Sequence, residues 1–185
     1  MVVDDPFESV LAAAQAGAEW AFAELYQSYN PLLERFFAGR TRSVAEDLVA
    51  DTWLGAARAL SRFAGNERQF RSWLFTIAHR RLVDHWKAQN RFKSAFELDG
   101  DLSGPPVESP EATVVETLSG REAARRIAAA LPADQAEIVL LRVVVGLDVE
   151  EVARITGRRP GTVRVLQHRA LKKLSRDFSL EAVTE

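Results

Sequence analysis

Apolar residues recur every three or four positions through most of this chain, and no run alternates with period two between turns, so the pattern predicts helices and no sheet. Phe7, Val10, Leu11 and Ala14 predict a first helix. Trp20, Phe22, Leu25, Tyr26 and Tyr29 predict a second, interrupted near Pro31, whose ring removes a backbone donor, and resuming through Leu33, Phe36 and Phe37. Ser43 and Glu46 have capping-box spacing and predict a helix reaching about Leu60. Asn66 with Gln69 predicts another, from about Phe70 to Asn90. Between 94 and 113 the period is lost among Asp99, Gly100, Ser103, Gly104, Pro105, Pro106, Ser109 and Pro110, the composition of a flexible acidic linker. Helical spacing returns from about Glu111 to Ala130. Pro132 stands where a first-turn proline would, opening a helix that ends at Gly146. Asp148 with Glu151 caps the next, which stops at Gly157, and Pro160 opens the last, running to about Arg176. The expected fold is all-α: two small helical domains, 1–93 and 114–185, joined by the linker at 94–113, with no internal repeat.

Composition narrows the function. A hydrophobic content of 47% is enough for two cores. The absence of cysteine removes disulfides, thiolate metal sites and thiol nucleophiles, and agrees with a reducing compartment. The opening MVVDDPFESV is acidic where an export signal needs base, and no apolar run approaches the roughly 20 residues of a membrane span. A cytoplasmic protein is expected, with no membrane attachment. The net charge of −2 conceals a segregation. Residues 1–51 hold nine acids against three Lys or Arg, and 97–122 hold seven acids against Arg121. Residues 79–93 hold five Lys or Arg against Asp84, and 154–176 hold eight with no acid. Eight uncompensated cations repel one another unless a polyanion sits among them, so two basic segments predict a nucleic-acid partner.

The second basic segment has the layout of a helix-turn-helix. Such a motif needs a small residue in its first helix, a glycine of positive φ in the turn and apolar anchors in the second helix. Ala153, Gly157, Val163 and Leu166 stand at those spacings. Val163, Leu166, Ala170 and Leu174 form an inward stripe. Gly161, Arg164, Val165, His168 and Lys172 fall on the opposite face, which can enter a major groove. Arg164 has the chemistry to read guanine, and Arg159, Thr162, Arg169 and Lys173 to hold phosphates. Arg158 occupies a turn position where an apolar residue is common, which suits a turn that follows a phosphate backbone.

In the first domain Asp47 and Asp51 are four residues apart on one helix, so their carboxylates are expected to share a face with Leu48 and Thr52. No third ligand stands at helical spacing from them, so they read as a solvated acidic face or as a face that docks on a basic partner. Along the helix from Phe70, the residues Phe70, Trp73, Leu74, Ile77, Ala78, Leu82 and Trp86 give an apolar side. Arg80, Asp84, Lys87 and Arg91 give a charged one, where Asp84 is placed to pair with Arg80 and Lys87. Aromatics beside cations suit unpaired bases, although four tryptophans are first of all packing material. His79 and His85 read as surface or DNA-facing. No Ser–His–Asp pattern, glycine-rich phosphate loop or metal cluster is present, so no enzyme, cofactor or metal is expected.

Taken in order, these segments resemble the extracytoplasmic-function (ECF) sigma factors of the sigma-70 family. AFAELYQSYNPLLERFFAGR resembles the family's first conserved helix, and VAEDLVADTWLGAARAL its polymerase-binding helix. FRSWLFTIAHRRLVDHWKAQNR resembles the helix that melts and reads the minus-10 element. LPADQAEIVLLRVVVGLDVEEVARITGRRPGTVRVLQHRALKKL resembles the minus-35 domain. The resemblance implies that Asp47, Leu48, Asp51 and Thr52 bind the β′ coiled coil of core RNA polymerase. It implies that the loop from Ser61 to Gln69, with Arg62 and Asn66, captures a flipped base, while Arg71, His79, Arg80, Arg81, Asp84, Lys87 and Arg91 flank the minus-10 DNA, duplex and melted. It also implies that the second domain rests on the β flap, that the linker approaches the RNA exit path, and that an anti-sigma factor controls the protein. Two positions depart from the family: Ala50 where glutamine is usual, and Arg80 where asparagine is usual. A conventional regulator with an N-terminal sensor would share the helix-turn-helix, but would bind an operator tightly without polymerase.

Overall fold

A computed structural model describes residues 6–41, 43–96 and 120–181, and among them every regular element is helical. The N-terminal lobe comprises α1 (Pro6–Gln15), α2 (Glu19–Ala38), α3 (Ala45–Ala59), a 3-10 turn (Leu60–Arg62) and α4 (Glu67–Phe96). The C-terminal lobe comprises α5 (Gly120–Ala129), α6 (Ala133–Val139), a π turn (Leu140–Val144), α7 (Val149–Thr156) and α8 (Pro160–Glu181). The expected linker at 94–113 lies outside the described residues from 97 onward, and so does the helical stretch expected from Glu111 up to 119.

Local signals set several boundaries. The Asn66 amide donates to Gln69 Oε1 at 2.9 Å and the Gln69 amide donates to Asn66 Oδ1 at 3.0 Å, a reciprocal cap that opens α4. The same exchange joins Asp148 and Glu151, with both bonds at 2.7 Å, and opens α7. Gly157 closes α7 at φ +67°, the left-handed conformation that a Cβ disfavours.

Three expectations are corrected. Pro31 does not interrupt α2, which runs unbroken from Glu19 to Ala38. A helix-interior proline costs about 3 kcal/mol. Leu25, Tyr29, Leu33 and Phe36 hold one helical register across it and are all buried, each contributing roughly 1.5–3 kcal/mol only while that register continues. The Ser43–Glu46 box does not form. Val44 is the N-cap, which puts Glu46 one position too early to reach back, although Glu46 and Asp47 still favour the helix start electrostatically. Pro132 is the N-cap of α6 and not its first helical residue, and the helix expected to reach Gly146 widens into the π turn after Val139. Leu140 and Leu141 are both fully buried there.

The core of the N-terminal lobe is built from Leu33, Phe36 and Phe37 on α2, Trp53 on α3, and Phe70, Leu74, Phe75 and Leu82 on α4. This apolar cluster continues without a break into Ala124, Ile138, Leu140, Leu141 and Val152 of the C-terminal lobe, so the two lobes pack directly. Trp20 is the exception among the tryptophans expected in the core and stands 60% exposed. Among the described residues no helix is long and apolar enough to cross a membrane.

Candidate nucleic-acid and partner interfaces

The helix-turn-helix forms as its spacing requires. Ala153 is buried where α7 meets α8, and Val163, Leu166, Ala170 and Leu174 are buried along one side of α8. That stripe anchors α8 and leaves Arg159, Gly161, Thr162, Arg164, Val165, His168, Arg169, Lys172 and Lys173 all exposed on its outer side and at its start. On this surface the Arg164 Nη2 donates to Glu150 Oε1 at 3.0 Å, and both side chains remain about 60% exposed. Arg142 supports the motif from beneath, donating to Gln167 Oε1 at 3.1 Å and to the Leu147 carbonyl.

On α3 the acids point outward and their expected companions do not. Asp47 and Asp51 are exposed, whereas Leu48 is 5% and Thr52 0% exposed, and the Thr52 hydroxyl donates to the Leu48 carbonyl at 2.7 Å. A one-residue step turns a helix by roughly 100°, enough to carry 48 and 52 from the acidic face to the core. The exposed face holds Asp47, Ala50, Asp51 and Leu54, the last 55% exposed. A cleft of about 850 Å³ lies alongside, between α2, α3 and α5, lined by Phe22, Tyr26, Asp47, Ala50, Leu54 and Arg121 among others.

The segment before α4 presents Arg62 and Asn66 to solvent. A residue that spacing did not single out holds it: Gln15 Nε2 donates to the carbonyls of Leu60 at 2.9 Å and Phe63 at 2.6 Å. Nothing local to Gln15 signals this, because its acceptors lie 45 and 48 residues away. Phe63 stacks on Trp73 with ring centroids 5.0 Å apart, and Trp73 sits 5.5 Å from Phe70. Along α4, Arg80, Asp84, Lys87 and Arg91 are exposed and Arg81 is half-buried. The expected pairing of Asp84 with Arg80 and Lys87 is absent among the described ion pairs. Arg71 is drawn instead to Glu67, at 3.2 Å. Glu67 also accepts from Tyr29 at 3.2 Å, and burial together with that carboxylate pushes the Tyr29 hydroxyl pKa up.

His79 is not on the surface. Its side chain is 14% exposed and its Nε2 lies 3.2 Å from Glu137 Oε1. Glu137 belongs to α6, in the other lobe. Arg40, just past α2, is 7% exposed at its side chain. It lies 4.0 Å from the same carboxylate oxygen, stacks 4.7 Å over the Trp86 ring, and donates to the Ala133 carbonyl at 2.6 Å. Burial alone would raise the Glu137 pKa. The His79 hydrogen bond and the charges of Arg40 and Arg158 outweigh it and hold the carboxyl below its ordinary value. Burial is the main influence on Arg40 and lowers its pKa. Arg158, at the turn between α7 and α8, thus contributes positive charge on the side of Glu137. Sequence spacing gave no signal for Arg40 or Glu137, whose roles arise only where the lobes meet. A second inter-lobe contact joins Arg68 of α4 to the α7 cap, with Nε 3.2 Å from Glu151 Oε1 and Nη2 paired with Asp148. A third joins Arg121 of α5 to Glu34 of α2 at 2.6 Å. Among the described residues no cluster of His, Cys, Asp and Glu could hold a metal ion.

Comparison with known proteins finds two families in succession along the chain. The family described as Sigma-70 region 2 matches residues 25–92, and that described as Sigma-70, region 4 matches residues 121–174. The chain is 38% identical to the ECF RNA polymerase sigma factor BldN of Streptomyces coelicolor over 169 residues, covering 88% of this chain and 62% of BldN. It is 34% identical to the ECF RNA polymerase sigma factor SigD of Mycobacterium tuberculosis over 178 residues, covering 90% of this chain and 81% of SigD. The chain thus spans under two thirds of the length of BldN but most of SigD. A co-crystal structure of the sigma factor RpoE with the anti-sigma factor NepR from Bartonella quintana shares the fold, with a TM-score of 0.59 at 23% identity, over 83% of this chain and 95% of that one. Two region families in order, and a relative above 30% identity that is covered over most of its length, place the chain in the ECF sigma factors of the sigma-70 family.

Proposed function

We propose that this protein is the promoter-recognition subunit of RNA polymerase, joining core enzyme and directing initiation at promoters with minus-10 and minus-35 elements. The observation that carries the reading is α8, whose buried apolar stripe leaves nine residues exposed along its outer side and at its start. In this reading residues 114–185 form the minus-35 module. Gly161, Arg164, Val165, His168 and Lys172 face the groove, with Arg164 reading a base edge, while Arg159, Thr162, Arg169 and Lys173 follow the backbone. Residues 1–93 form the minus-10 module, with Arg62, Asn66, Arg71, Arg80, Arg81, Asp84, Lys87 and Arg91 around the melted strand. The segment 94–113 tethers the two. Mounting both modules on one enzyme raises their effective concentration at correctly spaced elements, so neither must bind DNA tightly alone.

The face of Asp47, Ala50, Asp51 and Leu54 is the proposed seat of the β′ coiled coil, with Leu48 and Thr52 shaping it from within. The acids attract a basic partner and Leu54 supplies apolar area. The minus-35 module also meets the β flap. An anti-sigma factor, the kind of partner bound by the RpoE relative, holds the protein in reserve. The protein acts in the cytoplasm by binding and performs no reaction of its own. Run-off transcription from a genomic promoter pool with purified core enzyme tests the proposal. Defined transcripts that require both components are expected. Failure on every promoter, combined with tight duplex binding by the free protein, would instead establish a conventional regulator.

A further inference from the structure

Glu137 is a carboxylate almost sealed from water, and such a group is costly to bury unless cations surround it. Two of the basic side chains near it, Arg40 and His79, come from the opposite lobe, and one, Arg158, from its own. His79 and Trp86 stand seven residues apart on α4, two helical turns, so they share a face. Arg40 Cζ lies 4.7 Å from the Trp86 ring centroid. A guanidinium fixed on an aromatic ring beside an imidazole is suited to grip a phosphodiester, whose oxygens accept from both.

We propose that Arg40 and His79, with Trp86 as a platform, form a backbone-phosphate site for promoter DNA, which Glu137 fills while the lobes are closed. The idea rests on the reading of α4 as a DNA-facing helix. Arg40 was not among the residues that spacing or resemblance assigned to DNA. In the closed chain its guanidinium donates to the Ala133 carbonyl and lies 4.0 Å from the Glu137 carboxylate, both on α6. Separation of the lobes removes both acceptors together and leaves the guanidinium and imidazole facing outward. The carboxylate is thus an internal stand-in for a phosphate, and closing the lobes is self-inhibition. Gly39 sits at the same contact: a Cβ there would meet Leu140 Cδ1 at 2.8 Å and the Ala124 carbonyl oxygen at 3.0 Å, so a β-branched residue crowds the seam between the lobes.

The test uses the full chain without polymerase and a fluorescein-labelled single-stranded DNA of mixed sequence, because a phosphate contact is independent of base. Anisotropy is read across a salt series, with small-angle scattering to report lobe separation. Glu137→Gln should tighten binding by the reciprocal of the open fraction, about tenfold if one molecule in ten is open at rest. It should also steepen the dependence of log K on log salt by about 0.7 for each phosphate gained. Adding Arg40→Gln should remove both gains. If Glu137→Gln leaves the lobes closed, Gly39→Val provides the opening, with the same gain and the same loss on adding Arg40→Gln. Lobes that part without a gain in affinity would overturn the proposal, and so would a gain that survives Arg40→Gln. Run-off transcription by the unaltered protein is scored separately: its failure would remove the sigma-factor reading, whereas these binding results decide the phosphate site.

Discussion

Arg164 allows the proposed promoter contact to be tested against its own neighbour. Its guanidinium is bonded to Glu150 at 3.0 Å, and that bond must break before a base edge can be read. Both partners are about 60% exposed, so the pair is screened and contributes only about 0.2–1 kcal/mol. A bidentate arginine–guanine contact discriminates by about 1–3 kcal/mol, so DNA wins the competition. Arg164→Ala should therefore weaken holoenzyme binding at the preferred minus-35 base about fivefold to 150-fold, and should nearly equalise the four bases at that position. Glu150→Ala should do the opposite, strengthening binding by up to about fivefold through release of the guanidinium. Competition anisotropy with reconstituted holoenzyme on four duplexes differing at one minus-35 base pair measures both effects. An equal loss on all four duplexes would make Arg164 a phosphate contact and not a reader. A loss of affinity in Glu150→Ala would show that the ion pair orients the arginine for binding instead of competing with DNA.

Other measurements check the remaining surfaces. Replacing Asp47 and Asp51 together by Lys should abolish capture of core enzyme while the circular dichroism spectrum stays unchanged, because both side chains are exposed and neither takes part in a described ion pair; undiminished capture would remove them from that interface. Gly157→Ala forces a Cβ into φ +67° and should cost about 1–2 kcal/mol, read as a Tm lower by a few degrees; an unchanged Tm would mean that the turn relaxes freely. Gln15→Ala should leave the helices intact but raise hydrogen exchange across 60–66, where it holds the carbonyls of Leu60 and Phe63, and weaken binding of melted minus-10 DNA; unchanged exchange would deny it a positioning role. Glu137 gives a pH test. Its carboxyl is held below the ordinary value of 4.5 in the closed form, so its stabilisation is complete above that value and lost as pH falls through the depressed one. The Tm advantage of the unaltered protein over Glu137→Gln should shrink and vanish as the pH falls into the acid range; an advantage that persists in acid would exclude the ionised carboxylate as its source.

What the sequence by itself determined were the features written within a turn or two of helix. The Asn66–Gln69 and Asp148–Glu151 caps each close a ring over three residues, so spacing alone encodes them. The two sides of α8 follow from the helical period, and Val163, Leu166, Ala170 and Leu174 are buried where that period puts them. The Ser43–Glu46 box had the same local signature and failed because α3 starts one residue later, a choice made by the core that Leu48, Val49 and Trp53 join. The phase of α3 decided in the same way that Asp47 and Asp51 face out while Leu48 and Thr52 face in. Tertiary structure alone decided the fates of Pro31, His79, Arg40 and Glu137. A proline is tolerated when enough apolar surface is buried on both sides of it. A histidine that reads as a surface group becomes a partner of Glu137 only because the two lobes pack together. Those contacts join residues tens of positions apart. Their energy comes from excluding water between surfaces that no local spacing brings together.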